Sequence, residues 1–127
     1  MKKVTSIFLL IISISDAMAE WVPVRSDKKQ TTYIEYSTIK LSGDTRKVWV
    51  LEKYIQPEKL VDIYYSSSMT QFELNCKDES FNIIASTYYD KSGNVMYNLE
   101  NEQQHWDPVA PGTKGEFIWQ LVCNRKL

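Results

Sequence analysis

His105 is the only histidine in the chain, and Glu102 and Asp107 sit within three residues of it. An imidazole beside carboxylates is raw material for proton transfer or for a metal site. A structural zinc centre draws four protein ligands mostly from Cys and His, and both are scarce here. A lone histidine in a polar stretch reads as a surface residue. A serine–histidine–acid set can be assembled on paper from Ser66, Ser67 or Ser68, but those serines lie in no strand–turn–helix nucleophile motif. Glu73, Asp78, Glu79, Glu100 and Glu102 offer carboxylates, yet no spacing sets two of them across a glycosidic bond. There is no glycine-rich phosphate loop and no calcium loop. The reading is a protein without catalysis, metal or cofactor.

The remaining chemistry is sulfur. Cys76 and Cys123 are the only cysteines, with no C-x-x-C spacing to suggest a redox pair. Their meaning depends on compartment. Met1-Lys2-Lys3 is a positive start, Val4 to Ile14 is mostly apolar, and Ala17-Met18-Ala19 puts small residues before Glu20. Those three regions make residues 1–19 a secretory signal peptide cleaved after Ala19. The apolar run is short of the roughly 20 residues of a membrane span. Neither cysteine lies near the cleavage point, so the mature chain is expected to be periplasmic or secreted and not lipid-anchored. In an oxidising destination the two thiols are expected to form a structural disulfide, with pairing between chains as the alternative. Residues 20–127 suit one domain. Without Lys2, Lys3 and Asp16 the formal charge is about −2. That balance excludes a general polyanion surface, and nucleic acid is not an expected partner.

Strands must position these residues. Residues 20–25 read as an edge strand, because Pro23 cannot donate to a ladder. Thr31 to Tyr36 is a second strand, after which Ser37-Thr38-Ile39 suggests a helical turn. Gly43 marks a turn into Thr45 to Ile55, the longest strand signal, which Pro57-Glu58-Lys59 is expected to end. Val61 to Ser68 reads as a loop or as the approach to the next strand. Thr70, Phe72, Leu74 and Cys76 share one face of that strand. In Phe81 to Tyr89 the odd positions share a face. Asp90 to Asn94 is a hairpin loop, and Val95 to Leu99 a strand. Trp106 to Val109 is an extended return. Thr113 and Glu116 then start a helix through Cys123 with a capping pattern. Phe117, Trp119 and Leu121 are expected to hold it, since about ten residues do not stand alone. Hairpin follows hairpin with no helical crossover. The expected class is mainly β (α+β): an antiparallel sheet of five to six strands with a disulfide-clamped C-terminal helix.

Eight tyrosines and four tryptophans are the informative excess. Adjacent strand residues point to opposite faces, so Tyr88 and Tyr89 cannot both enter one core. One helix covers part of one face. Some rings must stay exposed, which favours a protein interface. Trp49, Tyr65 and Tyr88 are the candidate interface residues, with Val48 as an alternative to Trp49. The partner is a second copy or another protein.

The order and spacing of several stretches carry a resemblance. They are Glu20-Trp21-Val22, Tyr33-Ile34-Glu35, Ser37-Thr38-Ile39, Val48-Trp49-Val50-Leu51, Leu74-Asn75-Cys76, Tyr88, the Gly93 loop, Trp106 to Thr113, and Cys123. Together they resemble the bacterial surface-adhesin protein E family across nearly all of residues 20–127. The resemblance implies an antiparallel sheet with a C-terminal helix and a Cys76–Cys123 disulfide in an exported, sometimes dimeric, envelope protein. The family's namesake is an outer-membrane lipoprotein that binds host matrix and serum proteins, and this chain departs from it in having no lipid-attachment cysteine. The expected function is adhesin-like binding of a host-matrix or envelope protein. The alternative is a periplasmic inhibitor of a cell-wall hydrolase such as lysozyme, using Glu58-Lys59 or Ser92-Gly93-Asn94 as a protruding loop.

Overall fold

Alternation in the central strands builds the core. The computed structural model describes residues 20–101 and 104–127; the signal-peptide reading and Glu102 lie outside them. Strands β1 (Val22–Ser26), β2 (Gln30–Ser42), β3 (Thr45–Leu60), β4 (Ile63–Asn75), β5 (Ser80–Tyr89) and β6 (Val95–Glu100) follow one another, then β7 (Asp107–Pro108) and helix α1 (Lys114–Cys123). Sheet order matches chain order from β1 to β6, every pair is antiparallel, and β7 pairs with β5. Val48 and Val50 of β3 are fully buried with Ile34, Phe72 and Leu74 of their neighbours, under Ile118 and Val122 of α1. Trp49 lies between the two valines in sequence and so projects to the other face.

Helix α1 is held at both ends. The Thr113 hydroxyl accepts from the Glu116 N–H at 3.2 Å, and Glu116 accepts from the Gly112 N–H at 3.3 Å. Both satisfy first-turn donors or fix the entry turn. At the far end the Arg46 guanidinium donates to the carbonyls of Val122 and Arg125, each at 2.7 Å. Trp119 Nε1 donates to the Asn75 carbonyl at 2.9 Å. Cys76 and Cys123 are bonded to each other, with Cα atoms 5.5 Å apart. The disulfide is intramolecular, and it clamps the helix to the end of β4.

Five local expectations are corrected or resolved. Ser37-Thr38-Ile39 is not a helical turn: β2 runs through it, with the irregularity absorbed as a register shift between Glu35 and Lys40. The Thr38 hydroxyl bonds the Glu35 carbonyl and the Trp49 N–H there, which satisfies groups the irregular ladder leaves open. Pro57 does not end β3, because a shift between Lys53 and Glu58 takes it out of the regular ladder and pairing resumes to Leu60. Ile63 to Ser68 is strand, joined to β3 by the Val61–Asp62 turn with Val61 at φ 52°. In β5 an extra residue near Ile84 reverses the alternation. Phe81 packs on the core but Ile83 is largely exposed, while Asn82 and Ser86 are buried. In α1, Ile118 and Val122 carry the burial. Phe117 lies half-buried under the Arg25 guanidinium, and Trp119 and Leu121 flank the core.

Candidate functional site

Two adjacent rows cross the sheet on the helix-covered face. The first runs Ile34, Val50, Thr70, Ser86, Leu99 in register. It starts as core and ends exposed, and the Thr70 and Ser86 hydroxyls meet at 3.2 Å between those extremes. The second runs Thr32, Glu52, Ser68, Tyr88, Tyr97. Here the core turns polar just beyond the start of α1, and Thr32, Glu52 and Ser68 are all buried.

Glu52 is the charge at the centre of that row. Lys114, in the first turn of α1, donates to both its oxygens at 2.9 and 2.8 Å, and the Tyr54 hydroxyl donates to Oε2 at 3.0 Å. A buried carboxylate is tolerated only when paired and hydrogen-bonded, and Glu52 is both. The pair fixes the N-terminal end of the helix over β3. Burial, and then the negative charge of Glu52, push the Tyr54 phenol well above its ordinary value.

From Tyr54 an aromatic chain leads outward. Its ring centroid lies 5.5 Å from that of Tyr65, which lies 4.8 Å from Tyr88, which lies 6.4 Å from Tyr97. The two inner contacts are edge-to-face, the favoured aromatic geometry. Desolvation and then the neighbouring Tyr88 also raise the Tyr65 phenol. The chain ends in an open groove of about 460 Å³ between the β3–β4 turn and β6, lined by Leu60, Val61, Ile63, Tyr88, Tyr97 and Leu99, with Asp62 at its rim. Every residue of β6 is exposed, and Val95, Met96, Tyr97 and Leu99 present large apolar groups to solvent. In the sheet order β6 is terminal, so among the described residues one side of its backbone ladder is open.

Raised phenol pKa values have a direct consequence. The folded form holds the Tyr54 and Tyr65 protons to higher pH than the unfolded chain does. Their contribution to stability is therefore complete below about pH 10 and is lost as pH rises beyond it. Denaturant unfolding of the parent between about pH 9 and 12 should show this contribution hold to about pH 10 and fall beyond it. The fall should be shallower in Tyr54→Phe, and an unchanged slope would assign it elsewhere.

The structure brings Tyr65 and Tyr88 together and places Trp49 on the opposite face, in a shallow recess with Gln71, Ile84 and Ala85. Val48 is fully buried in the core, so it belongs to no exposed surface. His105 is exposed and pairs with Asp107 at 3.1 Å. Ser68 is buried in the polar row. Among the described residues no group of three or more His, Cys, Asp and Glu side chains is placed to hold a metal. Nor is any helix there long and apolar enough to cross a membrane. Glu58 and Lys59 lie within β3 and not on a protruding loop. The Ser92–Asn94 loop does project, tied down by Asp90, whose carboxylate accepts from the Ser92 and Asn94 N–H groups, both at 2.9 Å. Sequence reasoning passed over Glu52, Tyr54, Lys114 and Tyr97. One signal was available: Val48, Val50, Glu52 and Tyr54 share a parity, so a charge continues an apolar stripe and requires a partner.

A family model described as surface-adhesin protein E matches residues 21–124. Among solved structures the chain is similar to Haemophilus influenzae protein E, at TM-score 0.58 and 15% identity, covering 82% of this chain and 83% of that one. A second crystal form of that protein gives TM-score 0.56 at 15% identity, covering 82% and 87%. Protein E from non-typeable Haemophilus influenzae gives TM-score 0.53 at 17% identity, covering 87% and 79%. At these identities the likeness establishes the fold. No curated protein matches the chain significantly in sequence.

Proposed function

Given that this chain belongs to the surface-adhesin protein E family, we propose that it is an exported, non-catalytic, adhesin-like protein that binds a host-matrix or envelope protein through the groove between the β3–β4 turn and β6. Export rests on the three-part leader over residues 1–19 and carries the chain to the periplasm or the medium. One observation supports the binding surface: an aromatic groove opens directly onto an apolar edge strand with a free ladder. Such an edge suits an extended segment of a partner, whose backbone continues the sheet while its alternate side chains enter the groove. Tyr88 and Tyr97 are rigid anchors of the kind that dominate interfaces.

The test is binding of the purified mature protein to a panel of matrix, serum and envelope proteins, followed by Tyr97→Ala and Leu99→Glu on the partner found. Both side chains are exposed, so the fold should keep its melting temperature. Each change should weaken binding about tenfold or more. Trp49→Ala, on the other face, should bind as the parent does. Parent-like affinity in Tyr97→Ala and Leu99→Glu would move the surface elsewhere. Sedimentation of the free protein shows whether a second copy occupies the same edge.

A further inference from the structure

Glu35 is 3% exposed and stands at the point where β2 loses its regular register. Its Oε1 accepts from the backbone N–H of Ser37 at 3.0 Å and from the Ser37 hydroxyl at 2.8 Å. Its Oε2 is buried and has no hydrogen-bond partner among the described residues. A carboxylate oxygen withdrawn from water without a donor is costly, and it marks a place where a donor belongs. Glu35 also lines a recess of about 420 Å³ together with Glu20, Tyr36, Ser37, Arg125 and Lys126. The Arg125 guanidinium, on the same recess, stacks 3.9 Å from the centroid of the Tyr36 ring, and none of its N–H groups bonds Oε2.

The register of β1 points to a different donor. Pro23 pairs with Tyr33 and Val22 with Ile34. Glu20 and Trp21 precede β1, and that antiparallel register carried two residues further would bring Trp21 opposite Glu35 and Glu20 opposite Tyr36. Glu20 is the residue that signal cleavage would make the first. A signal peptidase hydrolyses the Ala19–Glu20 peptide bond with one water. That leaves a carboxylate on Ala19 and an amine on Glu20, which is mostly an ammonium at neutral pH.

We infer that the Glu35 recess is a binding site for a primary ammonium group, and that its occupant is the α-amino group of Glu20 in the processed chain. This rests on cleavage after Ala19. Before cleavage the Glu20 nitrogen is a neutral amide. After cleavage it is a cation with three donors, enough to satisfy Oε2 and complete the environment of Glu35. Processing thus adds a contact that the precursor cannot make, and the mature fold is tighter than that of the uncut chain.

The experiment compares residues 20–127 with a free and with an acetylated amino terminus, each with and without Glu35→Gln. Acetylation should lower the melting temperature of the parent by about 4–8 °C and leave that of the Glu35→Gln chain unchanged. Equal shifts in both backgrounds, or none in either, overturn the proposal. A second reading needs only the parent. The α-amino group should titrate above its ordinary range of about 7.7–8.0, although the positive Arg125 and Lys126 beside it push the other way. An ordinary value overturns the proposal, as does coupling of Glu35→Gln to Arg125→Gln in place of the terminus. Amino-terminal sequencing of the exported protein checks the premise separately: a first residue other than Glu20 removes the occupant.

Discussion

Cys76→Ser together with Cys123→Ser should lower the stability of the domain by about 4 kcal/mol, the loop-entropy value for residues 47 apart in sequence. The bond closes a loop that contains β5, β6, β7 and all but the end of α1. Without it the unfolded chain regains the freedom of that loop. The folded chain keeps the core packing of Ile118 and Val122 and the Lys114–Glu52, Trp119–Asn75 and Arg46 contacts to hold the helix down. At roughly 4–8 °C per kcal/mol for a domain of this size, the melting temperature should fall by well over ten degrees. Urea unfolding is the check. The midpoint should drop and the slope should steepen, because the denatured chain without the crosslink is less compact and exposes more surface. A loss below about 1 kcal/mol would mean that core packing and the three polar contacts hold the helix without help from the crosslink.

Ile118→Ala should cost roughly 3–4 kcal/mol. Ile118 is fully buried between the helix and the central strands, in the cluster of Ile34, Val48, Val50, Phe72, Leu74 and Val122. The helix is tied at both ends and by sulfur, so it cannot settle into the space that truncation leaves. A cavity that cannot collapse puts the cost toward the upper part of the range. Phe117→Ala removes a larger side chain but should cost less, because that ring is half-buried under Arg25. Paired denaturant curves decide the order. A larger loss at Phe117 would place the weight of the helix contact on the wrong residues. Against a total of about 5–15 kcal/mol for a typical domain, either the disulfide or the Ile118 change removes a large share.

The strands with clean alternation were legible in the sequence. Val48 and Val50, and Phe72 and Leu74, repeat at period two, and Thr113 with Glu116 announces the helix. What escaped were the places where the ladder takes in extra residues. Pro57 forbids a ladder bond, so a local reading ends the strand there, yet a wide irregularity carries β3 past it to Leu60. One extra residue near Ile84 puts Phe81 and Ser86 on one face, which strict alternation cannot do. Ser37-Thr38-Ile39 looks helical because Ser and Thr bond their own backbone. Thr38 does so here, but to stabilise an irregular strand. The groove was half-legible: an excess of tyrosines announces exposed rings, but Tyr65 meets Tyr88 only because β4 begins six residues earlier than the sequence suggests. Val48 and Trp49 were interchangeable on paper, and the helix decides between them by covering the valine.

The neighbour-by-neighbour strand order has a consequence for how the chain assembles. Each strand from β2 to β6 docks on the one released just before it, so a chain emerging from its amino terminus can zip its sheet in sequence. None of β2 to β6 waits for a distant partner, and only the two-residue β7 reaches back past its neighbour to β5, which keeps most loop closures short and folding comparatively fast for a β protein. Cys123 lies in the last helix and emerges after every strand of the sheet, while Cys76 waits at the end of β4 with no other thiol to pair with. The covalent lock is therefore also a proofreading step in time. It can close only after every strand has emerged, and within one chain it admits a single connectivity.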